Sequence, residues 1–348
     1  MEQSVQNAGR NMVKAKKFVL VNGFNNMPKE EDFKLVEEDL LGPQEGEFLA
    51  EALYLSVDPY MRAYAHQLKE GKTMIGVQVA RILESNNKEF PVGKYVVGNF
   101  GWSTHTICNG LRSTTQSEVD HYPYVLPDIG QLPPSLGLGV LGLTGNTAYF
   151  GFTEICKPRA GETVVVTTAA GAVGSHVGQI AKIKGCRVIG ITGSDEKCLW
   201  LKSIGFDAAI NYKNANWINA LSEATPRGID CYFDNVGGEI SSTIIQRMCT
   251  DGRVAVCGSI SSYNCDVRQL PKATMIQPWI VFHQLEIKGF VSNNWSRRWM
   301  EGIKENLKWV QEGRLRYKET ITDGFENMPK AFIGLLKGEN IGKAIVKV

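Results

Sequence analysis

Residues 163–192 read TVVVTTAAGAVGSHVGQIAKIKGCRVIGIT, and this stretch decides the fold of the chain. Its first six residues are β-branched and of strand length, and residues 187–192 form a second run of this kind. Between the two runs, Val177 and Ile180 fall at helical spacing before a stop at Gly185. The pattern therefore predicts a strand–helix–strand unit with a right-handed crossover between parallel strands.

The turn inside this unit, AAGAVG at residues 169–174, fits the dinucleotide fingerprint G-x-G-x-x-G with Ala169 in the first glycine position. Gly171 would let the backbone approach a pyrophosphate, and Gly174 would let the helix lie close to the strand. The N–H groups that open the helix favour phosphate charge. A tight turn without a ligand is the alternative, but the position between a clear strand and a clear helix favours a dinucleotide site.

The chain continues as alternating strands and helices. Four further strands are predicted, at residues 208–212, 229–234, 253–258 and 285–291. Ser194 is expected to cap one helix, and another is expected near residues 240–249. The alternation predicts an α/β fold with a doubly wound, Rossmann-type parallel sheet, whose ligands lie at the carboxyl ends of the strands.

The first part of the chain has a different pattern, with short β-rich runs separated by Gly and Pro, which predicts antiparallel strands with one face in water. We expect four segments: an N-terminal extension at 1–15, a β-rich catalytic domain at 16–139, the Rossmann cofactor domain at 140–312, and a return to the catalytic domain at 313–348.

Length and composition narrow the possible functions. The 348 residues suit two domains, and a formal net charge of +2 gives no reason to expect nucleic acid or an anionic membrane as a partner. Residues 1–12 lack the apolar core of a secretory signal, and no apolar run reaches about 18 residues. We therefore expect a cytoplasmic protein without a membrane segment.

The metal-binding residue types are scattered. The eight cysteines include no Cys-x-x-Cys pair, and the five histidines show no ligand spacing. This pattern predicts reduced thiols, without a disulfide framework and without a metal site.

The form of the nicotinamide cofactor is open at this point. An NAD site usually has an acidic residue on the ribose about 20 residues after the glycine turn, and Asp195 is near enough for that role. Asp195 could instead be a first-turn acid that the helix dipole stabilises. Lys197, in the same turn, could meet a 2′-phosphate, and on spacing alone NADP is slightly favoured over NAD.

Seven motifs carry a family resemblance: LSVDPYMR at 55–62, AAGAVGS at 169–175, GSDEK at 193–197, DNVGG at 234–238, CGSISSYN at 257–264, GFENMP at 324–329 and GKAIV at 342–346. Together they resemble the prostaglandin reductase and NADP-dependent alkenal reductase family, a zinc-free branch of the medium-chain dehydrogenases/reductases. The resemblance extends from about residue 17 to the end of the chain.

The resemblance implies a GroES-like catalytic domain and NADPH-dependent reduction of the C=C bond of α,β-unsaturated ketones and aldehydes. The implied activity is of the 15-oxo-prostaglandin 13-reductase and 2-alkenal reductase type, with roles in lipid metabolism and detoxification. It also implies a homodimer joined through the edges of the cofactor domains. The implied cofactor-binding residues are Gly171, Ala172, Val173, Gly174, Lys197, Tyr212, Asn235, Cys257, Gly258, Ser259, Ile260, Tyr263, Phe290, Val291, Ser292 and Asn340.

Two differences from related patterns concern the metal and the substrate. Where zinc-dependent relatives carry a cysteine and Gly-His-Glu, this chain has Ser56 and GVQ at 76–78, which implies that no metal is bound. Asn293 stands where mammalian members tend to have an aromatic residue, and GLTGNTA at 142–148 departs from the usual GMPG-L/M-TA. Both departures fall near the expected substrate pocket.

Hydride delivery to the β-carbon of an enone leaves an enolate, which a preorganised hydroxyl would stabilise. Tyr263 is the predicted catalytic donor, because a phenol with a pKa of about 10 keeps its proton at neutral pH; the alternative is a tyrosine that only positions the cofactor. Tyr60 is a candidate pocket wall or a packed turn residue. Arg62 could meet a substrate carboxylate, although a salt bridge with Asp58 or a neighbouring residue is favoured. Cys257 is interpreted as a buried thiol beside the cofactor.

Two other functions agree with the same sequence. One is a quinone reductase similar to zeta-crystallin, and the other is a non-catalytic NADPH-binding protein. Turnover of a small-molecule enal or enone would distinguish the predicted reductase from both.

Overall fold

The computed structural model of this chain describes residues 12–111 and 122–348. The chain forms two compact units: unit 1 draws on Met1–Leu138, Ile321–Lys337 and Ile345–Val348, and unit 2 on Gly139–Thr320 and Gly338–Ala344. Residues 1–11 of the expected N-terminal extension lie outside the described residues. Residues 13–15 belong to the first strand instead, where the side chain of Ala15 is buried.

Unit 1 is mainly antiparallel. Its elements before the boundary are β1 (Val13–Leu20), β2 (Phe33–Leu40), β3 (Phe48–Val57), α1 (Tyr60–Tyr64), β4 (Gln78–Ser85), β5 (Tyr95–Gly98), β6 (His105–Cys108) and β7 (Tyr124–Val125). β1 and β2 form a two-stranded sheet, and β3 pairs with both β4 and β6. Phe48, Ile82 and Val96 pack together as part of an apolar core on this sheet.

Unit 2 has the alternating pattern that the sequence predicts. Its elements are α2 (Leu143–Phe150), β8 (Thr163–Thr167), α3 (Ala172–Ile183), β9 (Arg187–Thr192), α4 (Asp195–Ser203), β10 (Ala208–Asn211), α5 (Trp217–Ala224), β11 (Ile229–Asp234), α6 (Gly238–Ile245), β12 (Met248–Val256), α7 (Gln277–Phe282), β13 (Glu286–Gly289) and α8 (Trp299–Gln311). The six strands are ordered β10-β9-β8-β11-β12-β13, and all neighbours are parallel. This is the doubly wound Rossmann order, so the predicted fold class is confirmed.

The chain then completes the larger sheet of unit 1. The last elements are β14 (Glu319–Asp323), α9 (Met328–Lys337) and β15 (Lys343–Lys347), and the sheet order is β14-β15-β3-β4-β5-β7. None of the helices in the described parts of the chain has the length and hydropathy needed to cross a bilayer.

Several predicted boundaries are wrong. The strands expected at residues 253–258 and 285–291 end earlier, at Val256 and Gly289. The helix expected near residues 240–249 ends at Ile245, and Met248 already lies in β12, paired with Ile229. The side chain of Met248 is buried in the core of unit 2, and this tertiary packing outweighs the helical pattern of the sequence.

Candidate functional site

The glycine turn between β8 and α3 is built for close packing. Thr168 has a φ of +48°, and Gly171 caps the helix whose first turn contains Ala172 and Val173. A Cβ added to Gly174 would lie 2.4 Å from the Thr168 carbonyl oxygen, so only glycine lets the helix approach the strand this closely. The first N–H groups of α3 have no partner within the helix and are free to face a phosphate.

A segment from the end of the chain lies against this turn within unit 2. The Gly342 N–H donates to the Ala170 carbonyl at 2.8 Å, and Gly171 and Gly342 form an isolated parallel bridge. The Asn340 side-chain amide donates to the Gly342 carbonyl, also at 2.8 Å. These contacts hold Asn340 near the glycine turn, and its contact with the cofactor stays a prediction.

The switch point of the sheet lies between β8 and β11, and their carboxyl ends are joined by side chains. The Asn235 amide donates to the Thr167 carbonyl at 2.7 Å, and the Asn235 N–H donates to the Thr167 hydroxyl at 3.0 Å. The buried Asp234 carboxylate accepts from the Gly237 N–H at 3.0 Å and from the Ser241 hydroxyl at 2.7 Å. These bonds fix the loop after β11 at the position where open α/β sheets bind ligands.

The loop after β12 carries five of the predicted residues: Cys257, Gly258, Ser259, Ile260 and Tyr263. The N–H groups of Cys257 and Gly258 both donate to the Asp234 carbonyl, at 2.8 and 3.2 Å. The Ser259 N–H donates to the Tyr263 hydroxyl at 3.1 Å, and a Cβ on Gly258 would lie 2.8 Å from that oxygen. The loop thus folds around the Tyr263 hydroxyl. Burial, together with the Asp234 charge, raises the pKa of the Cys257 thiol to about 12, so this thiol is protonated at neutral pH.

Phe290, Val291, Ser292 and Asn293 follow β13. The Phe290 ring packs at 6.0 Å from that of Phe233 and at 5.6 Å from that of Trp295. A Cβ on Gly151 would lie 2.3 Å from the Phe290 ring. The side chain of Phe290 is therefore part of the packing, whereas the neighbouring Val291 is 41% exposed.

A basic corner lies at the carboxyl ends of β9 and β10. A Cβ on Gly193 would lie 3.4 Å from the Tyr212 hydroxyl and 3.6 Å from Cε of Lys213. The Lys197 ammonium group donates to the Gly338 carbonyl at 2.6 Å. Burial lowers the pKa of Lys197, and the charge of Lys213 lowers it further. An anion placed at this corner would offset both effects.

The structure places two predicted pocket residues on α1 of unit 1. The Tyr60 ring packs edge-on against Tyr64 at 6.4 Å. The Arg62 guanidinium donates to the Asn26 carbonyl at 3.0 Å and lies 5.5 Å from the centre of the Phe24 ring. Each side chain therefore has a structural contact within unit 1, and their roles toward substrate stay predictions.

Ser56 and Gln78, which stand where zinc-dependent relatives are expected to carry ligands, form internal hydrogen bonds instead. The Ser56 hydroxyl donates to Asp58, and the Gln78 amide donates to the carbonyls of Gly101 and Ser103. Within residues 12–111 and 122–348, no group of three or more His, Cys, Asp or Glu side chains is placed to hold a metal ion. These residues do not fit a catalytic zinc.

Three contacts of this site were not predicted from the sequence, and they involve Thr167, Lys213 and Gly342. Thr167 is the last residue of the first strand of the Rossmann sheet, and Lys213 directly follows a predicted cofactor residue, so position was a usable signal for both. Gly342 lies 171 residues after its partner Gly171, and only the tertiary structure brings the two together.

Two sequence models of known families match the chain. Residues 16–115 match the N-terminal domain of oxidoreductases, and residues 172–309 match a family described as zinc-binding dehydrogenase. The second description mentions a metal that the described side chains do not fit, as shown above.

Individual relatives match over nearly the whole chain. Prostaglandin reductase 1 from Bos taurus is 51% identical over 339 residues, which cover 97% of this chain and 100% of the bovine protein. The 2-alkenal reductase (NADP(+)-dependent) from Nicotiana tabacum is 36% identical and covers 97% of this chain and 98% of its own. The crystal structure of CurA from Vibrio vulnificus in complex with NADPH is 36% identical, with a TM-score of 0.86, and covers 96% of this chain and 99% of its own.

A doubly wound sheet with a glycine turn, joined in one chain to a β-rich unit, defines an oxidoreductase of the medium-chain dehydrogenase/reductase class. Within that class, the chain belongs to the prostaglandin reductase and NADP-dependent alkenal reductase family. The resemblance drawn from the seven motifs is thereby confirmed.

Proposed function

We propose that this protein reduces the C=C bond of α,β-unsaturated ketones and aldehydes with NADPH. The observation that carries the proposal is the full-length similarity to prostaglandin reductase 1 and to an NADP-dependent 2-alkenal reductase. The names of these relatives include the predicted enzyme class, activity and cofactor. These predictions are therefore confirmed for the family to which the chain belongs.

The residues of unit 2 fit this cofactor. The opening N–H groups of α3 would bind the pyrophosphate, and Lys197 and Tyr212 would bind the adenosine 2′-phosphate. Asn235, Asn340 and the loops after β12 and β13 would hold the remainder of the molecule. When bound, NADPH supplies the hydride, and the chain orients donor and acceptor.

Tyr263 is the proposed catalytic residue. Hydride addition to the β-carbon moves an electron pair onto the carbonyl oxygen, and a hydroxyl donor there would stabilise the resulting enolate. The Tyr263 hydroxyl oxygen accepts from the Ser259 N–H, and this contact holds the hydroxyl within the loop that would border the nicotinamide. Tyr60, Arg62 and Asn293 are proposed to contact the substrate.

The activity is tested with a panel of acceptors, each followed by loss of NADPH absorbance. We expect steady turnover with 2-alkenals, simple enones and a 15-oxo-prostaglandin, and little turnover with benzoquinones or with NADH. Turnover confined to quinones would instead indicate a quinone reductase. Tight NADPH binding without turnover of any acceptor would indicate a non-catalytic binding protein.

We also propose that unit 1 is the catalytic domain, that unit 2 is the cofactor domain, and that the protein is a homodimer joined at the β13 edge. β13 is the last strand in the order of its sheet. Beside it, the consecutive residues Val281 and Phe282 are 70% and 77% exposed, so two neighbouring large apolar side chains lie in solvent next to this edge strand.

The dimer is tested by analytical ultracentrifugation. The unchanged protein is expected at twice the mass of the chain, and Phe282→Glu is expected as a monomer. Leu199→Glu is the matched control, because Leu199 is 68% exposed on α4 of the same unit. A monomeric unchanged protein, or dissociation by both variants alike, would contradict the β13 interface.

The cellular setting is also a proposal: a cytoplasmic enzyme that removes reactive enals and enones and acts in lipid metabolism. All eight cysteines have free thiols, as is usual in a reducing compartment. Fractionation of source cells, followed by the NADPH-dependent assay, tests this location.

A further inference from the structure

The turn after β10 places a second lysine near Lys197. The Lys213 N–H donates to the Asn211 side-chain carbonyl at 3.1 Å, which fixes the backbone of this turn. The stem of Lys213 lies over Gly193, where an added Cβ would be 3.6 Å from its Cε atom. Lys213 thus lies at the same strand end as the residues proposed to bind the 2′-phosphate.

The two ammonium groups are close enough to influence each other. The charge of Lys213 contributes to the lowered pKa of Lys197, after burial, and only Glu196 acts in the opposite direction. In the parts of the chain that the structure describes, neither lysine has a carboxylate within ion-pair distance. Two like charges of this kind favour a ligand group that carries more than one negative charge.

In the described parts of the chain, Asp195 has no ion pair with either lysine, and its carboxylate is hydrogen-bonded by Asn211. The Asn211 side-chain amide donates to the Asp195 carboxylate at 2.9 Å, while the side-chain carbonyl of Asn211 accepts from the backbone N–H of Lys213. The acidic side chain that would suit a ribose hydroxyl of NAD is thereby engaged by Asn211. The Asn211 side chain therefore both fixes the turn that carries Lys213 and holds the Asp195 carboxylate.

We propose that Lys213 is a second determinant of the preference for a 2′-phosphorylated nucleotide, and that Asn211 is a positioning residue that keeps Asp195 from the ribose. The inference rests on the proposed NADPH-dependent function. It adds two residues that neither the motifs nor the relatives' names assign.

The test measures binding by calorimetry, without turnover, using adenosine 2′,5′-bisphosphate and 5′-AMP as probes. The unchanged protein is expected to bind the bisphosphate more tightly. Lys213→Gln is expected to weaken bisphosphate binding about tenfold and to leave AMP binding unchanged. Lys202→Gln, an exposed lysine on α4, is the control and should alter neither.

The outcomes separate the two levels of the proposal. If the unchanged protein binds both probes equally, the NADPH preference itself is wrong. If it prefers the bisphosphate and Lys213→Gln keeps the full preference, only the role of Lys213 is wrong.

The positioning role of Asn211 needs a readout that simple loss of structure would not give. Asn211→Ala is expected to reduce the preference for the bisphosphate severalfold, and Asp195→Asn in the same chain is expected to restore it. A double variant that stays as weak as Asn211→Ala would overturn this role.

Discussion

The two ends of the parallel sheet in unit 2 handle charge in opposite ways. At the amino end, Arg253 and Glu162 form an ion pair at 2.6 Å with side chains only 15% and 14% exposed, and Arg253 also donates to the Cys156 carbonyl at 2.9 Å. At the carboxyl end, Lys197 and Lys213 bring two like charges together.

The difference shows at which end of the sheet the charged side chains are stabilised by partners within the folded protein. At the amino end burial alone would raise the pKa of Glu162, but hydrogen bonds from Arg253 and from the Arg159 N–H hold it below its ordinary value. At the carboxyl end the pKa of Lys197 is lowered, so the folded protein disfavours its charge. The amino end is stabilised by protein partners, whereas the carboxyl end gains from an anionic ligand.

The largest expected effect is at the amino end. Arg253→Met leaves the Glu162 carboxylate without its guanidinium partner, so we expect the free energy of unfolding to fall by about 3 kcal/mol. Urea denaturation measures this loss. The Michaelis constant for NADPH should not change, and a change there without a loss of stability would contradict the proposed division between the two ends.

Tyr263→Phe should lower turnover more than it lowers NADPH affinity. Removal of one preorganised donor to the enolate oxygen is expected to lower kcat about 100-fold, because such donors act mainly in the transition state. Steady-state kinetics with a simple enone measures it, and the KM for NADPH should stay within about twofold of the unchanged protein. Unchanged turnover would remove the catalytic assignment, while a rise in KM alone would indicate a residue that positions the cofactor.

Lys197→Gln should show the opposite pattern to Arg253→Met: weaker NADPH binding with little change in the free energy of unfolding. The KM for NADPH is expected to rise about tenfold, since a charge-assisted bond to phosphate is lost. The free energy of unfolding should change by less than about 1 kcal/mol, because an unfavourably placed charge is removed along with one hydrogen bond to Gly338. Paired kinetics and urea denaturation on the same preparations measure both quantities, and a large loss of stability would place Lys197 with the structural charges.

The smallest effects concern pH: both folded pKa values are lowered, so the free energy of unfolding rises with pH at both ends, at acid pH for Glu162 and at alkaline pH for Lys197. Because the folded pKa of Glu162 is depressed, its stabilisation is present above its ordinary value of 4.5 and is lost as the pH falls through the folded pKa. The folded pKa of Lys197 is also lowered, so the unfolded chain binds more protons at alkaline pH, and stability rises as the pH approaches the ordinary value of 10.5.

Bound 2′-phosphate should raise the pKa of Lys197, so NADPH affinity is expected to weaken in the alkaline range in which this lysine loses its proton. Calorimetry in buffers with different ionisation enthalpies should detect proton uptake on NADPH binding. Glu162→Gln should flatten the acid limb of the stability profile and leave the alkaline proton uptake intact. If Glu162→Gln also abolished the alkaline proton uptake, the two ends of the sheet would be coupled.

The sequence predicted the organisation of unit 2 well because its signals are local. β-Branched runs alternate with helical periods, Ser194 caps α4 as expected, and Gly174 lies where the helix must approach the strand. Boundaries were less reliable: Met248 followed a helical pattern but is buried in the core as part of a strand. A local pattern predicts the kind of element, and tertiary packing decides where it ends.

The sequence by itself determined a Rossmann sheet, its glycine turn and its family, because periodicity and motifs are properties of neighbouring residues. Only the tertiary structure decided that Asn211 engages Asp195, that Lys213 lies near Lys197, and that Gly342 pairs beside Gly171. These contacts join strand ends and segments that are distant in the chain. The sheet topology brings their side chains together, and the spacing of neighbouring residues does not encode such distances.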